Sequence, residues 1–280
     1  MEEELKMDLK DCFRGKLQFF YHEENTRLIL GDSFKMLSKI KPETVDCIFA
    51  DPPYFLSNDG ISVSGGKQVS VNKADWDKGM TLNEKHKFNR KWIRMCKRVL
   101  KENGTIWISG TMHNIYSVGM ALEQEGFKII NNITWEKRNP PPNLACRCFT
   151  HSTETIIWAK KDSKKAKHIF NYELMKEING GKQMKDVWQG SLTSQKEKAE
   201  GKHPTQKPEY LLERIIEAST LPGDIVLDPF NGSGTTGVAA KRLGRKYIGI
   251  DNVEEYLELS KRRIQKEQET LWQQEISNNG

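Results

Sequence analysis

The sequence contains no apolar run long enough to span a bilayer, and no apolar stretch near its first residue resembles a signal peptide. Both absences favour a soluble, cytoplasmic protein over a membrane or secreted one. The sequence also has no internal repeat. Its 280 residues, 36% of them hydrophobic, suit one large domain or one domain with a sizeable insertion.

Cysteine is scarce, and an odd count of five argues against a disulfide framework. Cys47 and Cys96 lie in apolar, core-like runs, which suits buried thiols. Cys146 and Cys148 form a C-x-C pair, but no second pair or histidine cluster stands at zinc spacing. We therefore expect a reduced protein without a structural metal.

The most informative stretch is Asp51-Pro52-Pro53-Tyr54, which follows the apolar run 45–50. That run predicts a buried strand, and an acid at the tip of such a strand is well placed for chemistry. The prolines have no N–H donor, so their carbonyls can face outward, and Tyr54 adds a flat ring. Together these groups could receive a planar ring that bears an amino group. The alternative is an ordinary turn capped by Asp51.

A second motif lies far away in the chain. The run 225–228 predicts a strand that ends at Asp228, and the glycine turn 229–236 then leads into a helix. Glycines let the backbone approach a ligand, and the helix start presents free N–H groups. Asp251 ends the next strand, where an acid commonly binds ribose hydroxyls. A nucleoside-bearing cofactor is indicated, although the glycine spacing differs from the dinucleotide pattern and a plain strand–turn–helix remains an alternative.

Predicted strands and helices alternate along the chain, which indicates an α/β fold with a mostly parallel sheet. Strands are predicted at 26–30, 45–50, 105–109, 127–135, 153–159, 224–228 and 246–251. Helices are predicted at 34–40, 83–100, 112–125, 208–219, 235–243 and 253–275. The polar segment 55–79 is too long for an ordinary connection, so it is either functional or disordered.

The net charge of +6 is concentrated in one segment. Residues 160–207 carry 12 lysines against 6 acidic residues, an excess of +6 that equals the excess of the whole chain. Such a segment is either a solvated insertion or a surface that contacts phosphates.

The two motifs together resemble those of amino-methylating DNA methyltransferases that use S-adenosyl-L-methionine. Their order, with the Asp51 motif first and the Asp228 motif last, is similar to that of the β class. Lys202-His203-Pro204-Thr205-Gln206-Lys207-Pro208, just before the glycine turn, is also typical of that class. Over residues 26–265 the chain is most similar to the DpnA-like, GATC-modifying adenine methyltransferases of bacterial restriction–modification systems.

The resemblance implies a Rossmann-like, doubly wound, mostly parallel sheet of seven strands with a lysine-rich insertion. It divides the chain into a catalytic half at 1–159, a target-recognition insertion at 160–202 and a cofactor-binding half at 203–280. Strands ending at Asp51 and Asp228 would then lie side by side, where the strand order reverses and ligands bind.

The resemblance also assigns roles to residues. The catalytic group consists of Asp51, Pro52, Pro53 and Tyr54, which would hold the amine and stack on the base. Asp32 and Ser33 would meet the adenine of the cofactor, Asp251 its ribose, and Thr205 and Lys207 its amino-acid end. The cofactor site would be completed by Asp51, Asp228, Phe230, Gly232, Gly234 and Thr235. Alternatives stay open: Asp32 or Thr205 as helix caps, Asp251 as a strand end, and Lys207 as a solvent-facing side chain.

An aspartate before Pro-Pro-Tyr favours adenine N6 over cytosine N4 as the target in this family. Duplex or single-stranded DNA is the expected partner, together with a restriction endonuclease, and a homodimer is allowed. Target recognition is expected in 160–202, helped by 55–79. Side chains suited to reading base edges are Asn171, Gln183, Gln189 and Arg147. The alternatives are a cytosine-N4 or RNA amino-methyltransferase and a non-catalytic nucleic-acid-binding module.

Overall fold

A computed structural model describes residues 7–54, 61–64, 67–70, 80–144 and 146–279. The strands in these ranges are β1 (Tyr21–Glu23), β2 (Thr26–Leu30), β3 (Val45–Ala50), β4 (Ile61–Ser64), β5 (Lys67–Ser70), β6 (Leu100–Gly110), β7 (Phe127–Lys137), β8 (Thr153–Lys161), β9 (Val187–Gly190), β10 (Ile225–Asp228) and β11 (Lys246–Asp251). The α-helices are α1 (Ser33–Lys39), α2 (Leu82–Val99), α3 (Ile115–Gln124), α4 (Tyr172–Ile178), α5 (Glu209–Ser219), α6 (Thr235–Arg242) and α7 (Glu254–Asn279).

One mixed sheet organises the protein, with strand order β1-β2-β11-β10-β3-β6-β8-β7-β9. The five strands from β2 to β6 in that order are parallel. β8 runs antiparallel to both β6 and β7, β9 is parallel to β7, and β1 is antiparallel to β2. The predicted α/β fold is therefore confirmed, but the predicted count of seven strands was wrong, because short strands extend both edges.

Both faces of this sheet are buried. Along β3, Ile48 and Ala50 point into one apolar cluster, and Cys47 and Phe49 point into the other, as the period of two requires. The first cluster is completed by α1, α2 and α3, and the second by α5, α6 and α7. A strand buried on both faces reads as a continuous apolar run, which is why β3 and β10 could be predicted from the sequence.

Local signals fix where the elements begin. Thr81 starts α2 with a capping box, in which its hydroxyl accepts from the Glu84 N–H and the Glu84 carboxylate accepts from the Thr81 N–H. Gly234 starts α6 in the left-handed region with φ of 72°, and an added Cβ would lie 3.0 Å from the Ser260 Cα. Glycine at this position therefore lets α6 approach α7 closely.

The segment 160–202 is part of the same packed structure as the sheet. It contributes α4, which packs beside α5, and β9, whose Trp188 joins the second apolar cluster. The three-part division of the chain stays a prediction. Of the predicted long loop at 55–79, the described parts are β4 and β5, which pair as an antiparallel hairpin, and the rest of the loop lies outside the described residues.

The start of the lysine-rich segment lies at the edge of the sheet away from Asp51. β8 runs away from the catalytic edge, so its last residue, Lys161, reaches the opposite edge and pairs with Glu43, which precedes β3. Asn171 then donates through Nδ2 to the carbonyls of Glu217 and Thr220 at the end of α5. Nine residues of β8 span about 25 Å between the two edges.

In the part of the chain that the structure describes, each helix is too short or too polar to span a bilayer.

Candidate active site

The two acidic strand ends meet where the strand order reverses. β10 pairs in parallel with β3, with Leu227 opposite Ile48, so Asp228 and Asp51 leave the sheet side by side. From this point the chain continues outward to β11 on one side and to β6 on the other. Such a switch point is where open α/β sheets bind ligands, and the predicted adjacency of the two motifs is confirmed.

A cavity of about 330 Å³ opens at this switch point. Its size falls within the range of about 300–1,000 Å³ that is usual for small-molecule sites. The predicted site residues that line it are Ser33, Asp51, Pro52, Pro53, Tyr54, Thr205, Lys207, Asp228, Phe230, Gly232, Thr235 and Asp251. Both motifs therefore face one shared space.

Asp51 is fixed by three side chains. Lys207 Nζ donates to its Oδ2 at 2.6 Å, and Ser109 Oγ donates to its Oδ1 at 2.5 Å. The Tyr54 hydroxyl also donates to Oδ1. Asn114 donates to the Pro53 carbonyl at 3.1 Å, which anchors the motif from the start of α3. The carboxylate is therefore oriented before any substrate arrives.

Lys207 is the centre of a buried charge cluster. Its ammonium lies 2.9 Å from the Tyr54 hydroxyl and 3.5 Å from Glu154 Oε2, and Glu154 Oε1 is 2.7 Å from Lys137 Nζ. Burial acts to lower the pKa of Lys207, but Asp51 and Glu154 raise it well above its usual value. Burial acts to raise the pKa of Glu154, but Lys207 and Lys137 lower it below its usual value. Two acids and two lysines thus form a neutral group.

Tyr54 combines a ring with a hydroxyl in this cluster. Burial raises the pKa of Tyr54 well above its usual range, and the Asp51 carboxylate adds to that shift. The hydroxyl therefore keeps its proton and acts as a donor. Lys207 Nζ lies beyond this hydroxyl, at the edge of the ring and 5.3 Å from the ring centre.

Asp228 lies deeper, at the end of β10. The Phe230 N–H donates to its Oδ1 at 2.9 Å, and Thr236 Oγ1 donates to its Oδ2 at 2.6 Å. Burial raises the pKa of Asp228 to about 7, with further contributions from Asp51 and Asp251, although both hydrogen bonds act to lower it. This carboxyl group therefore changes its protonation state near neutral pH.

Asp251 and the glycine turn form the other end of the cavity. The Gly232 N–H donates to Asp251 Oδ2 at 2.7 Å, and the Val253 N–H donates to Oδ1 at 2.9 Å. Burial raises the pKa of Asp251, while these backbone donors oppose the shift. Gly232 has φ of 50°, and an added Cβ would lie 3.3 Å from the His203 ring. Glycine therefore keeps this side of the cavity open.

Aromatic side chains form the walls. The Phe230 ring meets Trp92 edge to face at 5.5 Å, and the His203 ring meets Tyr256 at 4.4 Å. All but Trp92 line the cavity. Apolar walls, an acid at the end of β11 and backbone N–H groups at a helix start are the features that bind a nucleoside, so these residues fit the predicted cofactor.

The structure does not bring every predicted residue to the site. Asp32 is absent from the lining and caps α1, where its carboxylate accepts from the Lys35 N–H, as the alternative interpretation held. Gly234 serves the packing of α6 on α7 and does not line the cavity. Ser33 lines it, but its hydroxyl donates to the Pro229 carbonyl at 2.6 Å. Thr205 lines it and does not cap α5, which begins after Pro208.

Sequence reasoning assigned no site role to four residues that the structure places at the cavity or in contact with the Asp51 cluster. Ser109 and Glu154 contact the Asp51 cluster, and His203 and Tyr256 line the cavity. Ser109 ends a predicted strand beside β3, so the rule that located Asp51 could have found it. Glu154 begins an antiparallel strand, and no local pattern reveals that its start shares an edge with the end of β3.

Comparison with known proteins identifies the family of the chain. The N6_N4_Mtase family, described as DNA methylase, matches residues 45–262. The type II methyltransferase M2.DpnII of Streptococcus pneumoniae is 69% identical over 251 residues, covering 90% of this chain and 94% of that protein. M2.MboI of Moraxella bovis is 53% identical over 250 residues, covering 89% and 91%.

A solved structure supports the same conclusion. The M1.HpyAVI–SAM complex is 31% identical, with a TM-score of 0.61 over 85% of this chain and 99% of that one. The predictions of a DNA methyltransferase, of resemblance to the type II enzymes and of S-adenosylmethionine as methyl donor are therefore confirmed. The chain belongs to the N6_N4_Mtase family of DNA methylases.

Proposed function

We propose that the chain methylates the N6 amine of an adenine in DNA, within GATC, as part of a restriction–modification system. The observation that carries this proposal is the shared cavity in which the Asp51 carboxylate faces the glycine turn and Asp251. A methyl donor held at one end and an amine held at the other would meet in that space. An aspartate before Pro-Pro-Tyr favours adenine over cytosine.

The chain's own residues would orient the acceptor. Bound S-adenosylmethionine would supply an activated methyl on a sulfonium: a carbon–nitrogen bond would form as the carbon–sulfur bond breaks with its electron pair left on sulfur, and the methylated amine would then release one N–H proton to water. Asp51 and the Pro52 carbonyl would accept the two N–H bonds of the amine, which directs the nitrogen lone pair toward the methyl group. Tyr54 would stack on the base once it has left the duplex, a contact worth about 1–3 kcal/mol.

At the other end, Asp251 is proposed to hold the ribose hydroxyls, and Phe230, Gly232 and Thr235 to line the donor. Asp228 would shape the turn through its bonds to Phe230 and Thr236. The cavity lining supports each of these assignments. Thr205 is proposed to face the amino-acid end of the donor.

Expression of the chain in a methylase-deficient bacterial host should produce N6-methyladenine in genomic DNA. Mass spectrometry of the digested nucleosides separates N6-methyladenine from N4-methylcytosine, and modification-sensitive sequencing gives the context, expected to be GATC. A host carrying the empty vector is the control. Detection of N4-methylcytosine alone, or of methylation in RNA alone, would contradict the proposal.

The DNA surface is proposed to lie on the catalytic edge of the sheet. The connection 138–152 joins the end of β7 to the start of β8 at this edge, beside Glu154 and the Asp51 cluster. It contains no acidic residue, and Arg138, Arg147 and Phe149 are exposed, Phe149 at 95%. Arginines that contact phosphates and an exposed ring that meets bases are typical of nucleic-acid surfaces.

The lysines at 164–167 lie on the far edge of the sheet, about 25 Å away along β8. They are exposed and follow Lys161, which pairs with Glu43. Within the predicted recognition segment 160–202, only the part after β9 returns to the catalytic edge, where Gly190 pairs with Lys137. We therefore assign recognition to 138–152 and to the residues that follow β9.

The salt dependence of DNA binding should separate the two edges. Converting Arg138 and Arg147 together to glutamine should weaken binding and reduce the slope of log affinity against log salt by about 2, because each lost phosphate contact lowers it by about 0.9. The matched double change Lys164→Gln and Lys165→Gln removes the same charge at the far edge and should leave the slope unchanged. If the slope decreases only in the lysine variant, the proposed DNA surface is wrong and the lysine-rich segment contacts the phosphates.

Two predicted associations stay proposals. The type II names of the relatives support functional pairing with a restriction endonuclease. The predicted homodimer can be tested by measuring the mass of the protein in solution.

A further inference from the structure

The position of Lys207 conflicts with the proposed binding of the base. Its ammonium donates to Asp51 Oδ2 at 2.6 Å, although the target amine must donate to the same carboxylate. It also donates to the Tyr54 hydroxyl at 2.9 Å, at the edge of the ring on which the base would stack. The lysine therefore engages both groups that the target adenine needs, and it has to yield when the base enters.

A vacant acceptor lies beside this lysine. Glu154 Oε2 is buried and makes no hydrogen bond, and it faces Lys207 Nζ at 3.5 Å. The other oxygen of the same carboxylate is paired with Lys137 at 2.7 Å. A buried carboxylate oxygen without a hydrogen bond is costly, so its presence calls for an explanation.

A short movement would connect the two groups. A charge-assisted hydrogen bond has a donor–acceptor distance of about 2.8 Å, so a shift of less than about 1 Å toward Glu154 would close the 3.5 Å gap. The cluster holds two acids and two lysines before and after this shift. The exchange would therefore keep the net charge of the cluster at zero and would require no proton transfer.

We propose that Glu154 is a positioning residue that receives the Lys207 ammonium when the target amine takes its place on Asp51. Lys207 would thus change its hydrogen-bond partner, from Asp51 while the site is empty to Glu154 while the base is bound. Asp51 stays oriented in both states through Ser109. This inference rests on the proposed function, since it assumes that Asp51 receives the amine.

Glu154→Gln tests the assignment, because glutamine keeps the size of the side chain but removes the charge that attracts the ammonium. Lys207 should then stay on Asp51 and compete with the base. We expect KM for DNA to rise about tenfold or more, kcat to fall less, and the Kd for S-adenosylhomocysteine to stay within about twofold. Fluorescence of 2-aminopurine at the target position, which reports base flipping, should decrease in parallel with the loss of DNA affinity.

Glu43→Gln is the matched control. It neutralises another glutamate paired with a lysine, Lys161 at 3.3 Å, at the opposite edge of the sheet. This variant should behave as the wild type does in both assays. If Glu154→Gln also keeps the wild-type KM and the wild-type 2-aminopurine signal, the proposed exchange is wrong.

A double-mutant cycle distinguishes positioning from a general structural role. If Glu154 acts through Lys207, then Glu154→Gln should change the 2-aminopurine signal by less than about twofold in a Lys207→Gln background. An equally large effect in that background would instead assign Glu154 to its pair with Lys137. If the proposed function itself is wrong, a different result is expected: the Asp51→Asn variant would methylate DNA at the wild-type rate.

Discussion

Replacing Asp51 with asparagine is expected to lower the methylation rate on the order of 1,000-fold, the range found when one positioned polar group is removed from an active site. The amide keeps the shape of the side chain, but it has only one acceptor oxygen and no charge. It therefore holds the amine less strongly, and in the empty site it no longer forms the ion pair with Lys207, whose ammonium lies 2.6 Å from Oδ2 in the native cluster.

The expected loss lies in kcat, because the contact between Asp51 and the amine matters most while the new bond forms. Single-turnover methylation of a GATC duplex measures it directly. The Kd for S-adenosylhomocysteine, which carries no sulfonium charge, serves as a control for an intact donor site and should change little. Asp51→Ala should be at least as slow, and a wild-type rate in either variant would remove Asp51 from the mechanism.

The sequence predicted the centre of the fold because the central strands are apolar on both faces. β3, β10 and β11 are short apolar runs that end at or next to an acid. This pattern can be recognised in the sequence without any information about tertiary contacts. The edge strands β1 and β9 have three and four residues with alternating or partial burial. Such strands are defined by their pairing partners, so their sequences gave no comparable signal.

The site residues differ in the same way: some could be predicted from the local sequence, and others are positioned only by tertiary contacts. Asp51 and Asp251 follow predictable strands, and the structure places both in one cavity. Lys207 is separated from Asp51 by 156 positions, and its buried ammonium is stabilised by acids from two other strands. The partners of Lys207 are determined by the order of the strands in the sheet and by the need to pair a buried charge. Neither can be predicted from the spacing of residues in the sequence. Asp32 shows the reverse case, because its contact in the structure, the capping of α1 through the Lys35 N–H, is only three positions away in the sequence.

The contribution of Asp228 to the free energy of unfolding should decrease as the pH rises from about 4 to 7, because its carboxyl group keeps a proton in the folded state. Burial raises the pKa of Asp228 to about 7, against a value of 3.8 for an unperturbed aspartate. Between these values the folded protein binds more protons than the unfolded chain, so raising the pH favours unfolding. A difference of about three pH units corresponds to about 4 kcal/mol in the free energy of unfolding.

Asp228→Asn isolates this contribution, because the amide is neutral at every pH and its oxygen can still accept from the Phe230 N–H. The amide nitrogen of the variant would donate to Thr236 Oγ1, which reverses the native hydrogen bond. Urea unfolding of both proteins at several pH values gives the difference between their free energies of unfolding.

The free energy of unfolding of the variant, relative to that of the wild type, should increase by about 4 kcal/mol between pH 4 and pH 7 and then stay constant. Other titrating groups contribute to both proteins and largely cancel.

Thr236→Val removes the donor that lowers the Asp228 pKa, so the pH range over which the stability of this variant changes should extend above 7. Thr236→Ser keeps the donor and should follow the wild type. Parallel curves for wild type and Asp228→Asn would mean that Asp228 is ionised throughout. The negative charge would then be a fixed feature of the cavity at every pH at which the protein folds.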